Sequence, residues 1–218
     1  MAPAILTISS RNYGAWSLRG WLLCRMAGLD FTVRVVPAND PGARAELLLL
    51  SPSFLVPSLE HEGVTVWDTL AIGEYLSETL PNAALLPTDH VERARCRSVS
   101  GEMHAGFHDL RSSLPMNVKA RHPGFKVWAG AQADLDRIVA IWEESLLTSG
   151  GPFLFGPIPT MADAMYAPVC TRTVTYDVEL PESCRAYVEM IMDMPDMVEW
   201  IEAAMAEPDE LEELEAEF

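Results

Sequence analysis

Over the first 80 residues, short apolar runs alternate with helical periods. AILTI (4–8) is a compact apolar run with β-branched residues and reads as a buried strand. AWSLRGWLLCRMAG follows at helical spacing, with Gly28 suited to its C-terminus. FTVRVV (31–36) is β-rich and partly alternating, a second strand. DPGARAELLLLS opens with Asp40 and Pro41, an N-cap followed by a first-turn proline, and predicts a short second helix. VPSLEHEGVTVWD predicts a hairpin turning at Glu62-Gly63. DTLAIGEYLSETL predicts a third helix that turns Leu70, Ala71, Ile72, Tyr75 and Leu76 toward a core. The order is β-α-β-α-β-β-α.

After the proline-bearing stretch PNAALLPTD the strand signal vanishes. Helical patterns run over 91–121, 132–147, 162–176, 182–192 and 194–206. The expected fold is therefore α/β plus all-α, a small mixed domain over 1–86 and a helical bundle over 87–218. TMADAMYAPV carries a capping box, with Thr160 as the cap and Asp163 three residues on. The acidic end EPDELEELEAEF opposes a helix dipole and predicts a solvated tail.

Composition narrows the function. A net charge of −17 makes nucleic acid a poor partner, and an anionic membrane likewise. No stretch approaches the ~18 apolar residues of a membrane span. The start MAPAILTISS lacks a basic, apolar leader, so a cytoplasmic location is expected. Cys24, Cys96, Cys170 and Cys184 form no C-x-x-C pair and no zinc spacing, which predicts reduced, buried thiols and no metal centre.

Three segments in register carry a resemblance: NYGAWSLR between the first strand and helix, SPSFLVPSL before the third strand, and VWDTLAIGEYL at the third helix. Together with the change to helices near residue 86, they resemble cytosolic glutathione transferases of bacterial type, with zeta-class and beta-class features. The resemblance implies a thioredoxin-like first domain that binds glutathione. The helical domain would then hold a second substrate.

It implies roles as well. Pro57 would follow a cis bond, and Val56 would present its backbone to the cysteinyl unit of glutathione. Asp68 would pair with the γ-glutamyl ammonium and Thr69 with its carboxylate, at a helix start whose free N–H groups favour an anion. Arg44 and Asn39 are candidates for the glycyl carboxylate. Met103, His104, Phe107 and Arg111 would line the second pocket. Core packing and surface pairing explain each of those four equally well on its own. The resemblance also implies a homodimer, with apolar residues around Phe54 as a docking point.

Catalysis in that family needs a donor aimed at the glutathione sulfur, because a free thiol with a pKa of about 8.5 is mostly un-ionised at neutral pH. Against the zeta-like pattern SSCSWR, GAWSLR puts Gly14 and Ala15 where serines stand. Against the beta-like GACSL it puts Trp16 where the cysteine stands. Three readings stay open. Ser17, Ser10 or Tyr13 supplies a hydroxyl from a shifted position, with Ser17 the first choice. Backbone N–H groups near Ala15 to Ser17, Trp16 included, do the work, helped by Gly14. Or the site is lost. Arg19 either faces the cleft or pairs with an acidic residue of the second domain.

The expected activity is conjugation of the glutathione thiolate to a small electrophile in a detoxifying role. The alternatives are a zeta-type cis–trans isomerase, which would use cations such as Arg111 or Arg172, and a non-catalytic binding protein.

Overall fold

The computed structural model describes residues 4–36, 55–80 and 82–207. The expected second helix, with Asn39 and Arg44, and the docking residue Phe54 lie outside them.

Strand β1 (Ala4–Ile8) is the inner rail of a four-stranded sheet ordered β2-β1-β3-β4. It pairs in parallel with β2 (Phe31–Val35) and antiparallel with β3 (Ser58–His61). All its side chains but that of Ile5 are buried, those of both sheet faces among them, which is why it reads as a nearly continuous apolar run. Between β1 and β2 runs α1 (Ala15–Met26), ended by Gly28 at φ +70. The hairpin from β3 to β4 (Val64–Val66) turns through Glu62 and Gly63, both at positive φ, as a two-residue turn of matching twist requires. Helix α2 (Thr69–Thr79) follows.

Gly20 explains how tightly α1 lies on the start of β3. A Cβ there would meet Pro57 carbons at 2.6 Å, so a side chain would lift the helix off the strand. The Val56–Pro57 bond is cis.

The rest is helical. The expected 91–121 helix is two pieces, α3 (His90–Ala105) and the short α4 (His108–Ser113). The break falls at Gly106-Phe107, where Phe107 takes φ +60 and turns its ring into the core. An irregular segment containing Pro115 and Pro123 follows; apolar periodicity across such a stretch imitates a helix that proline forbids. Then come α5 (Ala129–Ser149), α6 (Met161–Thr175), α7 (Glu182–Met192) and α8 (Pro195–Met205). None of the described helices is long and apolar enough to cross a membrane.

Helix α6 is buried along almost its whole length and packs against α1, α3 and α7. The capping box is present, and it is larger than the sequence implied. Asp163 accepts from the Thr160 backbone N–H at 2.7 Å and its hydroxyl at 2.9 Å, and also from Leu154 N–H at 3.0 Å and the Tyr187 hydroxyl at 3.1 Å. All four cysteines are buried and unbridged; burial pushes the Cys24 thiol up to about 12.

Candidate active site

The loop from Ser9 to Gly14 carries the chain from the end of β1 into α1. Helix α1 begins with no side-chain cap and no acidic residue in its first turn. Ala15 N–H donates to the Tyr13 carbonyl at 2.9 Å, which leaves the N–H groups after it in the first turn available to an anion. That helix end opens on a cavity of about 340 Å³ between the sheet domain and the helices. Ser9, Tyr13, Ala15, Val56, Arg111 and Arg172 stand on its wall.

Trp16 fills the place where a catalytic side chain was sought, and its indole serves as a packing platform. The Arg19 guanidinium carbon lies 4.5 Å from the ring centroid and that of Arg111 4.8 Å. His104 meets the same ring edge-on, with centroids 5.2 Å apart. Arg19 is buried and reaches across to the helical domain, donating to the Met165 carbonyl at 2.7 Å and to the Met103 sulfur at 3.0 Å. The acidic partner expected for Arg19 is a carbonyl and a thioether instead. Arg172 is also buried and donates to the carbonyls of Leu114 and Pro168. Arg111 donates to the carbonyls of Met103 and His104, and its Nε is buried without a partner among the described residues.

Arg111 and Arg172 thus meet at one cavity, with Arg19 buried against the Trp16 ring, and none of the three makes an ion pair among the described residues. Burial lowers the pKa of all three, and mutual repulsion lowers it further for Arg19 and Arg172. Arg172 comes down to about 10, so it stays charged at neutral pH. In a chain of net charge −17, this is a concentrated positive spot at a helix N-terminus.

The third helix start behaves as the sequence suggested in part. Asp68 caps α2, accepting from Leu70 N–H at 3.0 Å. Its other oxygen lies 2.9 Å from His104 Nε2, a contact between the two domains. The Thr69 hydroxyl is buried and has no partner among the described residues.

The hydroxyl candidates separate. Ser17, the first choice, is fully buried behind the wall, with its oxygen 3.0 Å from both the backbone nitrogen and the hydroxyl of Ser9. Ser10 accepts from the Asn12 and Tyr13 N–H groups and donates to Glu207 at 2.7 Å, so its proton is already committed. Tyr13 stands on the cavity wall. Among the residues sought for the second pocket, Arg111 stands on the wall, Met103 and Phe107 are in the core, and His104 turns to Asp68. Arg44 lies outside the described residues. Sequence reasoning missed Ser9, whose only signal was a second hydroxyl at the end of a strand. It also missed Glu207, which had been read with the solvated tail.

Glu207 is a clamp. Its carboxylate accepts from the Ser10 hydroxyl, from Arg11 N–H at 2.7 Å and from Asn12 N–H at 3.2 Å, and its own carbonyl accepts from Lys119. Trp200 adds a bond from its indole to the Arg11 carbonyl. The last described residue therefore holds the loop that feeds α1. Glu207→Ala is expected to cost about 1–3 kcal/mol in a urea titration, because backbone donors lose their acceptor. A second expected result is faster amide exchange at Arg11 and Asn12.

A larger hollow of about 780 Å³ lies elsewhere, beside Phe125, Val178 and Arg185, and carries none of these features.

Comparison with known proteins fits this layout. Residues 13–79 match the family model for the glutathione S-transferase N-terminal domain, and 125–204 match that for its C-terminal domain. The maleylacetoacetate isomerase of Rattus norvegicus is 30% identical over 175 residues, which is 78% of each chain. The chain belongs to the glutathione transferase family. Among solved structures, a maleylacetoacetate isomerase from Anaeromyxobacter dehalogenans superposes with a TM-score of 0.65 at 25% identity, covering 95% of this chain and 93% of that one. A glutathione transferase homologue from Burkholderia, solved with bound glutathione, gives 0.71 at 24% identity, covering 93% and 98%. This transferase thus shares the thioredoxin-like domain and helical domain of an enzyme family, while Gly14, Ala15 and Trp16 occupy the positions where a thiol-activating side chain was sought.

Proposed function

We propose that the protein binds reduced glutathione at the start of α1 and acts on a small anionic, unsaturated acid held against Arg111 and Arg172. The reaction is cis–trans isomerisation of a cis-enoyl diketo acid. The observation that carries this reading is the pair of guanidiniums, Arg111 and Arg172, on the wall of the cavity that also receives the α1 N-terminus, neither in an ion pair among the described residues. A neutral electrophile would offer neither guanidinium a counter-charge, and of the two only Arg111 feels a nearby carboxylate, that of Asp134.

The residues present fit glutathione. The orphaned Thr69 hydroxyl sits at the first turn of α2, where a ligand carboxylate would satisfy it. Asp68 supplies a carboxylate for the ligand ammonium, and Val56 stands on the cavity wall. Bound glutathione supplies a thiolate that adds reversibly to a conjugated double bond. The chain supplies the rest. The first turn of α1 favours the anion over the thiol. Arg111 and Arg172 orient the acid and hold negative charge that spreads onto its oxygens. Trp16, Pro115 and Met116 exclude water beside them.

Conjugation to an electrophile uses the same thiol site and remains the second reading, favoured by those apolar walls. One experiment separates the two. The protein is incubated with glutathione and a cis-enoyl diketo acid, and product and free thiol are followed together. Isomer formed with glutathione unconsumed is the expected result. Stoichiometric thiol loss would replace it with conjugation. No glutathione heat in a calorimetric titration would remove both.

A further inference from the structure

We infer that Ser9 supplies the hydroxyl that stabilises the glutathione thiolate, with Ser17 behind it as the residue that aims it. The inference rests on glutathione binding as proposed above.

Three observations converge. Ser9 follows β1 directly and stands on the same cavity wall as Ala15 and Val56. Second, the hydrogen bonds around it have a direction. The fully buried Ser17 oxygen accepts the Ser9 backbone N–H at 3.0 Å. Its own proton has one recorded acceptor, the Ser9 hydroxyl oxygen, also at 3.0 Å. A buried hydroxyl left undonated is costly, so Ser17 donates to Ser9. That fixes the Ser9 oxygen as an acceptor on its inner side and leaves its proton for the cavity.

Third, Gly14 makes the arrangement sterically possible. A Cβ at residue 14 would come within 2.7 Å of the Ser9 hydroxyl and 2.2 Å of the Ser10 carbonyl. The space that a side chain at residue 14 would need is taken by the Ser9 hydroxyl and the loop backbone. Loss of a side-chain donor at 14 and gain of one at 9 are then a single substitution of geometry. Ala15 has no donor, Ser10 is committed to Glu207, and the Trp16 ring is packed beneath two guanidiniums.

If Val56 holds the cysteinyl unit, the sulfur enters the cavity that Ser9 faces. Its proton leaves to solvent as the thiolate forms, and the Ser9 O–H donates to the sulfur without being transferred.

The test reads the thiol itself. The ultraviolet difference absorbance of bound glutathione is titrated with pH in the wild type, Ser9→Ala, Tyr13→Phe, and Ser9→Ala combined with Ala15→Ser. Calorimetry confirms occupancy in each. Ser9→Ala is expected to keep glutathione bound while its thiolate midpoint rises by about one pH unit, a tenfold loss of thiolate at neutral pH. Tyr13→Phe is expected to leave the midpoint in place. The double variant, which returns a hydroxyl to the first helical residue, is expected to recover part of the shift. An unchanged midpoint in Ser9→Ala with glutathione bound overturns the inference and leaves the α1 backbone as the stabiliser. A shift in Tyr13→Phe alone assigns the role to Tyr13 and also overturns it. If the wild type shows no glutathione heat, the proposed function fails first and takes this inference with it.

Discussion

Asp163→Ala is expected to destabilise the protein by about 3–5 kcal/mol, because four buried donors lose their acceptor at about 1–3 kcal/mol each and relaxation recovers part of the sum. The carboxylate is buried and serves four donors on three elements: the turn at Leu154, the α6 cap at Thr160 and the α7 face at Tyr187. Burial raises its pKa while those four donors pull it down. Removing it leaves two backbone N–H groups, a threonine hydroxyl and a tyrosine hydroxyl without an acceptor, where no water can follow cheaply. Typical domains have only about 5–15 kcal/mol in total. A urea titration should therefore move its midpoint sharply at unchanged slope. Asp163→Asn should recover part of the loss, since it keeps volume and one acceptor. A shift under about 1 kcal/mol, the value of a simple cap, would mean that the network is held by packing alone.

The second large effect concerns selectivity. Arg111→Met is expected to lower kcat/KM for an anionic enoyl acid by roughly tenfold to a hundredfold, the size of a lost charge-assisted contact of about 1.5–3 kcal/mol. Thiol addition to a neutral electrophile should change by less than about threefold, because the loss is then not one of charge pairing. Arg111 also ties down the end of α3 through the carbonyls of Met103 and His104 and packs on Trp16. Arg111→Lys controls for this by keeping charge but losing the planar fork. Equal losses on both substrates for Arg111→Met would assign the residue to structure rather than to recognition.

The strands, α1 and the capping box were legible because each has a local signature: β-branched runs, Gly28 after a helical period, Thr160 with Asp163. Asp68 as a helix cap was legible for the same reason. The break between α3 and α4 was not, since Phe107 is an apolar residue in an apolar rhythm, and its left-handed backbone leaves no mark on that pattern. The hydroxyl site was half legible. The sequence exposed the loss at Gly14 and Ala15. It could not say that Ser17 points inward, because the helix is buried on nearly every side. Nor could it bring Glu207 to Arg11, a contact across 196 residues.

Arg19 has a consequence for how the two halves can be handled. It is rooted in the first domain, yet both its recorded hydrogen-bond acceptors belong to the second. Separating the halves would leave a guanidinium with severed partners on an apolar face of α1. Neither half is then a free-standing module. Heat should melt them in one cooperative step, and a chimera that exchanges whole halves with another member of this family inherits the defect unless α1 and α6 travel together.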